Sequence, residues 1–399
     1  MNTEELSWPS SKISFWDIQN DEMKILIHWS HDPFIDYRTL SYQFYECGFK
    51  TFENIIQSGH NNIKSDMWFL AAIFLVRQSI ELGLKSLICR VCHKKPDIQS
   101  CFETYKHDLH GLFTFYNRKE TTSYLHPIES DWLSTYLMSL EEVDRKSDMF
   151  RFPFDDVFLK RYRNKFLDNV ALANNMLIAF SLIQKCIECQ NAEPDSVINE
   201  TFPPEFFVFS SHGIGNCYLW QGLFDDGFHV KVEGYISVID FIYNNHSIEL
   251  KTKAYPLLFL FRNSIELCLK QLLYSRIDDG ALWKQFKSKS RSHLINRDLW
   301  VNIRPLILKY GGQSSNDIAL MEIVDNRISF LSSIDKKGDM FRYPTSYSLE
   351  YRFDQQTFDM QNIYLYLKGV LNFLEACEDS FESIAEFQDE QRANMNDYY

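Results

Sequence analysis

The chain has 399 residues, 45% of them hydrophobic, and a formal net charge of −13 from 54 acidic and 41 basic side chains. That acidity excludes a surface built to coat nucleic acid non-specifically, because such affinity comes from releasing counterions at phosphates. It leaves room for a local basic groove, with Lys284, Lys287, Lys289 and Arg291 as its clearest candidate.

Length suggests roughly two to three domains. With only 14 Gly and 11 Pro, long regular elements are expected, and the apolar spacing selects helix. The first twelve residues carry no basic stretch leading into an apolar core, so no signal peptide is read and a cytoplasmic location is expected. The longest apolar run, Trp68 to Val76, is half of what a bilayer span needs, so no membrane association is expected. Nine scattered cysteines fit reduced thiols.

Residues 1–36 are Trp-rich and irregular and read as an arm laid over a core. A helix is predicted from Tyr37 to Ser58, ended by Gly59. Asp66 to about Cys92 is a long apolar helix, stopped by Lys94-Lys95-Pro96. A short helix follows from His107, then another from Ile128 to Lys146. Asp148-Met149-Phe150-Arg151-Phe152-Pro153 is a non-helical link, since proline disfavours the helical region for the residue before it. Leu159 to about Cys189 reads as one long helix. Asn191 to Asp195 and Pro203-Pro204 mark the best boundary in the chain. The second half then repeats the order: Val230 to Asn245, Tyr255 to about Ile277, His293 to Tyr310, Asn316 to Ile334, the link from Asp339, and Phe358 to about Glu378. The tail from Glu382 is acidic and is expected to fray.

Two segments carry the repeat. Arg77-Gln78-Ser79-Ile80-Glu81-Leu82-Gly83-Leu84-Lys85 returns as Arg262-Asn263-Ser264-Ile265-Glu266-Leu267-Cys268-Leu269-Lys270. Asp148-Met149-Phe150-Arg151-Phe152-Pro153 returns as Asp339-Met340-Phe341-Arg342-Tyr343-Pro344. The reading is an all-α protein of two tandemly duplicated helical-bundle domains packed as an intramolecular pseudo-dimer. Its segments are an arm (1–36), a first domain (37–190), a linker and arm (191–229), a second domain (230–385) and a tail (386–399). A homo-oligomer is compatible with this organisation.

On a helix, Arg, Glu and Lys at i, i+4 and i+8 lie on one slowly turning stripe. Glu81 can pair with Arg77 and Lys85, and Glu266 with Arg262 and Lys270. Such charges on an apolar helix need defined partners. His107 and His293 follow their arginines by 30 and 31 positions. A histidine suits general acid–base work and an arginine suits a phosphate or oxyanion. Arg77, His107, Arg262 and His293 are therefore the candidate catalytic set. Glu81, Lys85, Glu266, Lys270, Asp148, Arg151, Asp339 and Arg342 are supporting candidates, with Arg151 or Arg342 placed to pair with Glu81 or Glu266. The competing reading is purely structural: ladders that tie helices together, and link aromatics that plug the core. Cys89-Arg90-Val91-Cys92 and Cys186-Ile187-Glu188-Cys189 lie almost a hundred residues apart, unlike a compact zinc module. Gly213-Ile214-Gly215 is too short for a phosphate loop. No metal and no cofactor is expected.

A helix reading Arg-x-x-Ile-Glu-Leu-x-Leu-Lys, a His-led short helix and then Phe-Arg-Tyr-Pro resembles a branch of HEPN-like proteins from prokaryotic defence and toxin systems. The resemblance covers both halves. It implies a helical bundle that pairs with a second copy, often as a metal-independent ribonuclease with Arg and His at the pair interface. It maps onto Arg77 and Arg262. Neither arginine is followed by the family's closely spaced histidine, so His107 and His293 rest on spacing alone.

Two functions follow as expectations. One is an antiphage or toxin effector that cleaves RNA where the two halves meet. The other is a non-catalytic scaffold or sensor binding a partner protein or a small anionic ligand. The second expects the Arg, Glu and Lys groups to be engaged with one another.

Overall fold

A computed structural model describes residues 8–59, 61–152, 154, 156–162, 164–190, 203–219, 228–274, 292–311 and 314–396. The basic run from Lys284 to Arg291 and the boundary at Asn191 to Asp195 lie outside these residues. Helix dominates the described chain, as expected: twelve α-helices against five short strands.

The chain divides into two compact units. One comprises Ile27–Leu258 with Phe341–Gln356; the other comprises Met1–Leu26, Phe259–Met340 and Thr357–Tyr399.

In the first unit, α1 (Pro33–Gln57) starts where the Asp32 carboxylate accepts from the Phe34 N–H at 2.9 Å and Pro33 opens the first turn. A π-helical turn, Lys64–Trp68, leads into α2 (Phe69–Val91). Every residue of α2 from Phe69 to Ile88 is buried, so this helix is the axis of the unit. It approaches α1 closely at Gly48, where a Cβ would come within 2.6 Å of Val76 Cγ2. Then follow α3 (Lys95–Tyr105), α4 (Leu109–Lys119), α5 (Pro127–Asp144) and α6 (Asp156–Tyr162). Pro96, read as a stop, also opens α3, where a proline costs no hydrogen bond.

The single helix expected over Leu159 to Cys189 is broken. Asn164 adopts φ +58°, Phe166–Leu167 forms strand β1, and α7 (Asn169–Ile187) starts afresh from an Asp168 cap on the Ala171 N–H at 2.9 Å. β1 is the centre of a small antiparallel sheet with β2 (Phe209–Ser210) and β3 (Cys217–Tyr218), Phe166 facing Ser210 and Tyr218. The expected linker therefore contains sheet. α8 (Phe228–Asn244) completes the helices of this unit, and α9 (Leu250–Tyr274) begins in it.

In the second unit, α9 continues from Phe259 and is followed by a π-helical turn (Ile295–Trp300), α10 (Val301–Tyr310), α11 (Ser315–Ile334) and α12 (Met360–Asn396). The expected fraying tail is helical to Asn396. Phe381 and Ala385, four residues apart, remain buried and carry the apolar stripe onward. The N-terminal arm packs here through Phe15, edge-on to Tyr366 and Phe358, with Trp16 stacked on Phe358 at 5.5 Å.

Two helical stretches, Lys64–Val91 and Asn169–Ile187, have the length and apolarity of a bilayer span. The most apolar window of the first is 89% buried, which makes it the core helix of its unit.

Candidate functional site

The repeated motif builds a closed charge network in each unit. In the first, Arg77, Glu81 and Lys85 project from α2 and are essentially unexposed. Arg77 Nη1 donates to Glu81 Oε2 at 2.5 Å and Lys85 Nζ to Glu81 Oε1 at 2.8 Å. His107 stands just before the Asp108 cap of α4, its Nδ1 3.1 Å from both Glu81 oxygens. Arg77 Nη2 reaches on to the His107 carbonyl at 3.1 Å. Arg77 Nε lies 3.2 Å from Asp144 Oδ2, an ion pair without hydrogen-bond alignment.

The other Asp144 oxygen accepts the Asp148 and Met149 N–H groups at 2.9 and 3.0 Å, folding the link back under α5. The link near the chain's end closes the site. Tyr343 O–H donates to Glu81 Oε1 at 2.5 Å, and its ring lies under Lys85 Nζ at 4.2 Å. Arg342 donates to Gln78 Oε1 at 2.7 Å and to Ser147 Oγ at 2.9 Å, while Gln78 donates back to the Arg342 carbonyl.

The second unit repeats the core of this arrangement. Arg262 Nη1 donates to Glu266 Oε2 at 3.0 Å, Lys270 Nζ to Glu266 Oε1 at 2.7 Å, and His293 Nδ1 sits 2.8 Å from the same oxygen. Arg262 Nη2 reaches the His293 carbonyl at 2.8 Å and Nε lies 3.8 Å from Asp335 Oδ2. Asp335 Oδ1 gathers the N–H groups of Gly338, Asp339 and Met340. Gly338 takes φ +73°, the conformation glycine adopts freely; Ser147, its counterpart 191 positions earlier, takes φ +59°.

The electrostatics follow from one carboxylate held among cations. Burial alone would raise both Glu81 and Glu266, but Lys85, His107 and Arg77 hold Glu81 well below the carboxylate range, and Lys270, His293 and Arg262 do the same for Glu266. Burial pushes Lys85 down and Asp144 and Asp335 up. His107 is pushed down to about 4: burial and the neighbouring Arg342 and Lys85 charges outweigh the attraction of Glu81.

Comparison with family models, with curated proteins and with solved structures finds no match. The site must be read from its own geometry. Arg77 and Arg262 do not reach solvent; their work is to hold the glutamate and the histidine loop. The histidines are the solvent-facing members, with side chains 25% (His107) and 41% (His293) exposed. Asp148 and Asp339 supply backbone N–H groups to the turn. Arg342 comes within 3.9 Å of Glu81. Arg151 instead donates to the Ser147 carbonyl at 2.7 Å and lies over Phe74 and Phe152.

Asp144, Asp335, Gln78, Ser147 and Tyr343 were not singled out from sequence. Asp144 and Asp335 were detectable: Asp144-Arg145-Lys146-Ser147-Asp148 aligns with Asp335-Lys336-Lys337-Gly338-Asp339 at the offset of the later repeat. Among the described residues, no group of three or more His, Cys, Asp or Glu is placed to hold a metal ion.

Proposed function

We propose that this chain is a HEPN-like tandem-repeat protein of a prokaryotic defence or toxin system, acting as a cytoplasmic scaffold or sensor. It engages a partner protein or small anionic ligand, and the arginines of its motifs are structural. The observation that carries this reading is the mutual saturation of the ladders. Each arginine is buried, donates to its own glutamate and to the carbonyl of its own histidine, and lies beside a second carboxylate. An arginine committed to this many acceptors leaves no guanidinium edge for a scissile phosphate. The duplication is supported by the recurrence of the same side-chain types making the same contacts.

A second reading, metal-independent RNA cleavage, is favoured by His293, a partly exposed imidazole oriented through Nδ1 by a buried glutamate. That is the usual way a base is held for proton transfer. One experiment separates the two. Purified protein is incubated with total and homopolymeric RNA without divalent metal, in parallel with a growth-toxicity assay, using wild type and His107→Ala/His293→Ala. The scaffold reading expects no cleavage and no histidine-dependent toxicity. Cleavage by the wild type that disappears in the folded double variant would replace it with the ribonuclease reading.

A further inference from the structure

A second polar feature lies in the second unit, away from the motif network. Arg327 on α11 is 3% exposed. Its Nη1 donates to the Tyr366 carbonyl and its Nη2 to the Ser10 carbonyl, both at 2.7 Å, and the guanidinium lies 4.3 Å from the Tyr366 ring centroid. Its Nε–H is buried with no acceptor. Among the described residues, no carboxylate pairs with it. Every other deeply buried arginine described above has an acidic partner within 4 Å or, like Arg151, sits beside a link held by one. A buried guanidinium balanced only by carbonyls and a ring face is costly, because such a charge is normally paired or hydrogen-bonded throughout.

Arg327 also lines a cavity of about 300 Å³. The arm closes one side through Ser10, Ser14 and Phe15, while Asn326, Phe330 and Tyr366 form the others. The walls combine hydroxyl and amide groups with three rings in mutual contact: Phe15 lies 5.2 Å from Phe330 and 5.7 Å from Tyr366. Backbone packing shapes the seat of the guanidinium. A Cβ at Gly369 would come within 3.0 Å of Arg327 Nη1 and 3.1 Å of the Pro9 nitrogen, so arm and arginine rest on the bare α12 backbone.

We propose that this cavity binds a small monoanionic carboxylate with a flat apolar body. The oxyanion pairs with the Arg327 guanidinium where it lines the cavity, the serine and Asn326 groups complete the head, and the ring lies against Phe330 and Tyr366. A single negative charge is specified because Arg327 is the only Lys or Arg lining the cavity among the described residues. A dianionic phosphomonoester would leave one charge unbalanced. The inference stands whether or not the motif histidines are reactive.

The test titrates full-length protein with benzoate and indole-3-acetate, with benzamide as the neutral isostere and phenyl phosphate as the dianion, read by calorimetry and thermal shift. The expected result is saturable binding of the carboxylates with a rise in Tm, and at least tenfold weaker binding of benzamide and phenyl phosphate. Arg327→Met is expected to weaken carboxylate binding at least tenfold. Ile323→Trp, which fills the cavity and leaves the arginine in place, is expected to do the same, and it carries the test should Arg327→Met fail to fold. Absence of carboxylate binding to the wild type would overturn the proposal. So would binding that survives in a folded variant, or a preference for benzamide or phenyl phosphate.

Discussion

Replacing Glu81 by Gln keeps the shape of the side chain and removes the charge on which the first network converges. Arg77 retains Asp144 at 3.2 Å, but Lys85 loses the carboxylate to which it donates at 2.8 Å. At an effective dielectric of about 20, that Lys85–Glu81 pair alone is worth roughly 6 kcal/mol of gross attraction. The net loss is smaller, because burial already pushes Lys85 down and it can shed its proton once the carboxylate is gone. Breaking a buried pair from one side costs about 3–5 kcal/mol. In a unit of this size each kcal/mol shifts Tm by about 2–4 °C, so Glu81→Gln should melt about 6–20 °C below wild type at pH 7. Circular dichroism melts read this directly. Glu81→Gln/Lys85→Met should recover part of the loss, since the stranded cation is then absent. A deficit under about 1 kcal/mol would refute the reasoning, because it would mean that water, not Glu81, compensates these cations.

Further outcomes are expected. His107 titrates near pH 4 when folded against an ordinary value of 6.5; the unfolded chain therefore takes up the proton first as pH falls. Its contribution is fully present above pH 6.5 and is lost between about 6.5 and 4, amounting to about 3 kcal/mol at most. Urea melts across that range should show the decline, and His107→Gln should flatten it. Tyr343→Phe removes the Glu81 hydrogen bond at 2.5 Å and should cost about 1.5–3 kcal/mol in the same denaturation assay, as for a bond to a charged acceptor. Gly338→Ala meets only ordinary contacts, the nearest Glu266 Oε2 at 3.6 Å, so its cost should be the left-handed backbone alone, about 1–2 kcal/mol. Gly234→Ala differs in kind: its Cβ would fall 2.3 Å from the Met67 carbonyl oxygen, a backbone atom that cannot swing away. A loss of about 3 kcal/mol or failure to fold is expected there, measured by soluble yield and melting.

The helical character and the ladders were legible because both are local. Helical spacing and an i, i+4, i+8 pattern need only neighbouring residues, and the repeat drew attention to them. The break at 164–168 was only half legible: Asn164-Lys165 and Asp168-Asn169 interrupt the apolar spacing and offer a cap, but the left-handed backbone at Asn164 and the strand partners from residues 209–218 that fix it are not local. Tyr343 was hidden for the same reason, since 262 positions separate it from the carboxylate it meets. Its counterpart Phe152 has no hydroxyl, so the repeat pointed away from the role. Burial of the arginines was also beyond the pattern. A charged stripe on an apolar helix announces that partners exist, and only the fold says that the partners consume the charge.

The first unit is discontinuous: its last sixteen residues, Phe341–Gln356, come after 82 residues assigned to the other unit, 259 to 340. On a ribosome this has a temporal meaning. When Leu258 emerges, Glu81 already has Arg77, Lys85 and His107 in the same nascent segment, yet the phenol that closes over it has not been made. At about 5–20 residues per second, roughly 4–16 s pass before Phe341 follows. During that interval the unit carries an unlidded acidic socket lined with cations. Glu81 is then approachable from the side that Tyr343 later covers.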